Sequence, residues 1–218
     1  TTLFRSWATA GYLFTDQVIH YPDLYNKMKE SVIYRARQKE AGYSNIRPSR
    51  RATEDIPRYM RAANNVQRTI VAHAITDDSN EKQEFESALV LESDYGLGRN
   101  PLNIIQMTTA TTALQSKRSI ENCYTTGRND GYEGLHPGHT PYLNLDDWGG
   151  KTMGKPSVLY QHCYPDFNTY WPMGEAYFNT RYVWAHNEFT PRHTMRGKMA
   201  LYAYLYSIGN KWVSPTKV

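Results

Sequence analysis

At 218 residues, with 40% hydrophobic and 21% charged residues and no low-complexity tract, the chain has the composition of a globular protein with room for a sizeable core. Its net charge is +4, yet the 25 basic residues are mixed with 21 acidic ones, and the one basic cluster, at 47–51, has the length of a solvated loop. No RNP motif, zinc-finger spacing or basic helical stripe is present, so nucleic acid is not an expected partner, and no apolar run reaches the roughly 20 residues that span a bilayer.

Five helices are expected. The first runs over about 3–19, where Leu3, Trp7, Ala10, Phe14 and Val18 recur at helical spacing. Because that pattern starts almost at residue 1, we expect a processed product or a piece of something longer. Pro22 suits the opening turn of a second helix, with Leu24, Met28, Val32 and Ala36 along one face and Gly42 at its end. Thr53, Glu54, Asp55 and Pro57 announce a third, whose apolar stripe is Ile56, Tyr59, Met60, Ala63, Val66, Ile70 and Ala74. A fourth begins at Asn80, carries Phe85, Ala88, Leu89 and Tyr95, and ends before Gly98. The last begins near Pro191 and stops at Gly209. Its apolar residues surround much of its circumference, so it should be well buried.

No alternating strand pattern is evident. Residues 103–180 hold Gly, Pro, Asn and aromatic residues with little periodicity, and a segment of that kind inside a compact domain is usually functional. The expected fold is all-α: a single helical domain over 1–218 with a loop-rich active-face segment at 103–180. The 18 Tyr and 5 Trp offer rings with polar tips, which suit sugars as well as cores. Cys123 and Cys163 are compatible with one disulfide or with two thiols, and neither has neighbours at zinc-ligand spacing.

Three stretches carry a resemblance. "SDYGLGRNPLN" (93–103) resembles the Asp-Tyr-x-Leu-Gly-x-Asn-Pro segment of glycoside hydrolase family 9, the endoglucanase family, through Asp94, Tyr95, Leu97, Gly98, Asn100 and Pro101. "LHPGHTP" (135–141) is similar to a degenerate form of that family's His-Pro-His-His-Arg loop. "NTRYVWAHNE" (179–188) resembles its Asp-x-Arg-x-x-Tyr-x-x-Asn-Glu region, with Arg181 seven residues before Glu188. Together they span about 54–209 and imply the C-terminal half of an (α/α)6 barrel, a toroid of paired helices. Departures from the family are Gly138 for a His, Thr140 for an Arg, and Val183 and Asn179 for Asp residues. The family's general base lies in an Asp-x-x-Asp motif of its N-terminal half, and no two of the ten Asp residues here are three apart.

The resemblance implies an extracellular or periplasmic hydrolase of a β-linked polysaccharide or oligosaccharide, working by inverting acid/base chemistry without metal or cofactor. Inversion needs two carboxyl groups roughly 6.5–9.5 Å apart, an acid for the leaving oxygen and a base for water. Glu188 is the expected acid, its pKa raised by partial burial against Trp184. As a residue at a helix start it is equally suited to the helix dipole alone. His136 and His139 could bind sugar hydroxyls, or have the spacing of a metal pair that lacks a third ligand. Arg181 suits a sugar hydroxyl, a substrate carboxylate or a structural acid. Tyr132, Trp148, Tyr170 and Trp171 are stacking or packing rings, and Asp146–Asp147 reads as a turn or cation site before it reads as a base. A second chain or a removed segment would supply the other half of the barrel. The alternative from another class is a non-catalytic glycan-binding or structural protein on a decayed hydrolase scaffold. A lyase on a helical toroid is a third.

Overall fold

The computed structural model describes residues 6–39, 62–100, 102–108, 118–120, 138–139, 162–165 and 199–209. Of these, 71% are helical with few strands, which is compatible with the expected all-α class. Helix α1 (Ser6–Leu13) ends earlier than its apolar pattern suggests, and a 3-10 turn (Asp16–His20) follows it. The break is chemical. Thr15 takes an extended backbone (φ −106°, ψ 157°) and both its amide and its hydroxyl donate to the Tyr12 carbonyl, at 3.1 and 2.8 Å. The expected stripe fails accordingly: Leu13 is buried, while Phe14 is 60% exposed.

Pro22 opens α2 (Pro22–Lys39), where its missing N–H costs no hydrogen bond, and Asp23 favours the positive end of the helix. Met28, Val32 and Ala36 are buried at four-residue intervals, whereas Leu24 stays exposed at the open end. These residues join Leu13, Ala72, Ile75 and Phe85 in one apolar cluster. Helix α3 (Ala62–Ile75) also serves a second cluster, in which its Val66 meets Leu89 of α4 (Ser79–Gly96) and Leu201 of α5 (Ala200–Ile208). The stripe expected on α3 was therefore too narrow. Ala74 faces solvent, and burial extends instead to Thr69, Ala72, His73, Ile75 and Thr76.

Helices α3 and α4 form a hairpin closed by Thr76, Asp77 and Asp78. The Asp78 carboxylate accepts from the amides of Asn80 (2.8 Å) and Glu81 (3.1 Å), capping α4. The Thr76 hydroxyl donates to Glu81 at 2.6 Å and accepts from the Asp78 amide. From α2, Arg37 pairs with Glu81 at 2.9 Å and lies 6.0 Å over the Phe85 ring, while Lys29 reaches Asp77 at 2.6 Å. Polar contacts thus fasten the mouth of the hairpin to α2 above the buried Phe85.

Two expectations are corrected. Helix α5 buries one side only: Leu201 is 1% exposed, but Tyr206 is 66% exposed, because its rows of tyrosine have one covered flank and one open one. Strands also occur where none were expected. β1 (Ile104–Thr108) pairs in parallel with β2 (Arg118–Ile120), in the register Ile104 with Arg118 and Ile105 with Ser119, with an irregularity before Thr108 pairs with Ile120. β1 is covered almost throughout, so it lacks the polar alternation that marks a strand with one wet face. Among the described residues no helix is long and apolar enough to cross a membrane.

Asp78→Ala removes the acceptor of two amides and should destabilise the protein by about 1 kcal/mol in urea titration. Asp77→Ala, at an exposed neighbour, should shift the midpoint far less.

Candidate functional site

The segment that carries the strongest resemblance is built at the end of α4. Tyr95 is 2% exposed and pins the last turn to the core. The Leu97 amide closes the helix on Ser93 and Asp94 carbonyls at 3.0 and 3.1 Å, and Gly98 follows at φ 104°, a conformation that a side chain would strain. The Arg99 amide then returns to the Asp94 carbonyl at 2.9 Å, and its guanidinium pairs with the Asp94 carboxylate at 2.6 Å.

Asn100 is the centre of this turn. Its amide nitrogen donates to the carbonyls of Tyr95 and Ile104, both at 2.8 Å, and its oxygen accepts from the Ile104 amide at 3.3 Å. One side chain therefore ties the end of α4 to the start of β1. Asn103 completes the reversal at φ 54°, and Leu97 bridges back to Ile105.

β1 leads directly to the second stretch of the resemblance. The Thr108 amide donates to the His139 carbonyl at 2.8 Å, and the Thr108 carbonyl accepts from the Gly138 amide at 2.9 Å. The His139 amide donates to the Thr108 hydroxyl at 2.9 Å. His139 is thus held at the far end of β1. Gly138 lies at φ 82° with open space where a side chain would project. The backbone, not crowding, is what suits glycine at this position.

Behind the turn lies a group the sequence reading missed. Glu92 is 3% exposed, on the same helical face as Phe85 and Leu89. Burial, together with the charges of Glu92 and Asp94, pushes the Tyr202 hydroxyl of α5 far above its ordinary range, so it remains protonated. The signal was available: residues 85, 89 and 92 stand at i, i+4 and i+7, and a carboxylate on an apolar stripe is unusual.

Of the expected site residues, His139 is placed as above. Glu188, His136, Arg181, Tyr132, Trp148 and Trp184 lie outside the described residues, as do Tyr170, Trp171, Asp146 and Asp147. Cys163 is partly buried, and Cys123 also lies outside them. Among the described residues no group of three or more His, Cys, Asp or Glu is arranged to hold a metal ion.

Asn100→Ala should cost about 2 kcal/mol, because it strips partners from two carbonyls and an amide in a part-buried turn. Gly138→Ala should cost about 1–2 kcal/mol through backbone strain alone. Chemical denaturation of the two variants measures both. Comparison with protein-family models, with curated proteins and with solved structures finds no match to this chain.

Proposed function

We propose that this protein is a glycoside hydrolase of the family 9 type, acting outside the cytoplasm on a β-linked polysaccharide or oligosaccharide. On this proposal the helical pairs belong to an (α/α)6 toroid, and Glu188 is the general acid. The observation that supports it is that two parts of the resemblance, at Asp94–Asn100 and at Gly138–His139, lie at the two ends of β1. The segment with the most specific resemblance ends a helix, as the family pattern implies, and the end of the β1 strand that follows is hydrogen-bonded to Gly138 and His139 in the second part of the resemblance.

The reaction requires Glu188 to give its proton to the glycosidic oxygen as the bond to the anomeric carbon breaks. A base carboxylate on the opposite face takes a proton from the attacking water, and the product sugar has inverted configuration. His136, His139 and Arg181 bind hydroxyls, and Tyr132, Trp148 and Trp184 offer faces to the rings. The base comes from a second chain or from a segment outside this sequence, since no Asp-x-x-Asp element is present in it.

A glycan-binding protein without turnover is the second reading. Gly138 favours it, because glycine has no side chain to offer a sugar where the resemblance implies a histidine, and its positive φ would strain a replacement.

Glu188→Gln keeps shape and hydrogen bonding but removes the transferable proton. Hydrolysis of a poor leaving group should fall by about a hundredfold or more, with glycan binding nearly unchanged and good leaving groups much less affected. Glycan binding with no turnover in the parent assembly would establish the second reading. A helix-dipole role alone predicts a loss of roughly 0.3–1 kcal/mol in stability with full activity retained.

A further inference from the structure

Where α3, α4 and α5 meet, an imidazole is held with one nitrogen satisfied and the other bare. His73 is 4% exposed. Its Nδ1 lies 2.6 Å from the Tyr204 hydroxyl of α5, and the two rings meet edge to face with centroids 5.6 Å apart. Its Nε2 is buried without a hydrogen-bond partner, and the Glu86 carboxylate of α4 stands 3.9 Å away.

The roles of the two nitrogens follow. Burial, and then Glu86, push the Tyr204 hydroxyl up to about 12, so it keeps its proton and donates to Nδ1. The hydrogen of the neutral ring therefore sits on Nε2. A second proton would land on Nδ1, where the hydroxyl would have to turn and accept. Burial is the largest influence on His73 and lowers its pKa. Glu86 opposes that shift, and Lys82, also on α4, adds to it.

Among the described residues, few other contacts fasten α5. Leu201 is its fully buried side chain, and Tyr202, Tyr204 and Leu205 are partly covered against Val66 and Leu89. We propose that His73 makes the seating of α5 on α3 and α4 dependent on pH, acid unseating the helix by protonating an imidazole that the seam accommodates only when neutral. With α5 seated the ring resists protonation; with α5 unseated it titrates near its ordinary value of 6.5. The seated state is therefore fully favoured above that value and loses ground as pH falls towards the depressed one. Within this window each pH unit shifts the balance by up to about tenfold. Unseating also opens Tyr202, and the buried Glu92 whose charge acts on it, to water.

Amide hydrogen exchange on the full chain tests this, with α2 as internal reference and rates corrected for intrinsic pH dependence. Protection of α5 relative to α2 should fall by up to about tenfold per pH unit below about 6.5. His73→Gln keeps an acceptor for Tyr204 but cannot titrate, so its α5 protection should be flat over the same range. Glu86→Gln changes a half-exposed residue and removes the charge that favours the imidazolium, so the loss should continue to lower pH. Parallel change of α5 and α2 in the parent protein overturns the proposal. So does an unmoved Glu86→Gln profile, which decides the matter even if His73→Gln does not fold.

Discussion

The described structure depends on α3 having buried or half-buried side chains at every position from Val66 to Ile75 except Ala74. Packed by α2 on one flank and by α4 and α5 on others, it belongs to both apolar clusters. A helix covered on several sides must bury positions that an amphipathic pattern would leave polar and wet. In α3 these are Thr69 and His73, with Thr76 just past its end, and the neighbours supply partners for Thr76 and His73. Thr76 is tied into the hairpin with α4, and His73 is met by Tyr204. Two small clusters joined through one helix also mean that a cavity opened beside Ala72 or Val66 would be felt on both sides.

The second constraint is the passage from helix to strand. Carbonyls at the end of a helix have no partners within it, and those at the start of a short two-stranded sheet are equally exposed to loss. Asn100 answers both with a single planar amide, which fixes α4 and β1 relative to one another more tightly than packing alone would. The ion pair between Arg99 and Asp94 has its guanidinium largely in solvent and contributes little by comparison. Rigidity in this turn comes from a neutral side chain, which salt does not screen.

Helix identity was legible wherever a single face was buried. Met28, Val32 and Ala36 on α2, and Phe85 and Leu89 on α4, follow the periodicity and are buried. Legibility failed where burial was not one-sided. Periodicity cannot announce a helix covered on several flanks, nor a strand such as Ile104–Thr108 with both faces covered. It also failed at Thr15, where a side-chain hydrogen bond ended a helix whose apolar spacing continued. Asp78 caps α4 one residue before its first turn, close to the Asn80 start expected from the sequence. Of the expected site residues, His139 is hydrogen-bonded to the end of β1. Glu92 and His73 escaped because polar residues on apolar stripes are read as interruptions, not as buried groups with partners.

The clasp between Thr108 and the pair Gly138–His139 joins positions 31 apart in sequence. The entropy of closing such an interval grows only with the logarithm of its length, and doubling it costs about 0.6 kcal/mol. Natural or engineered variation can therefore lengthen the interval at little thermodynamic penalty, provided that the three hydrogen bonds at its ends and the pairing of β2 with β1 within it survive. Length is cheap there and end chemistry is not. A lineage could exchange whole insertions between those anchors, reshaping what lies beside the histidine, while α4, its turn and β1 remain as they are.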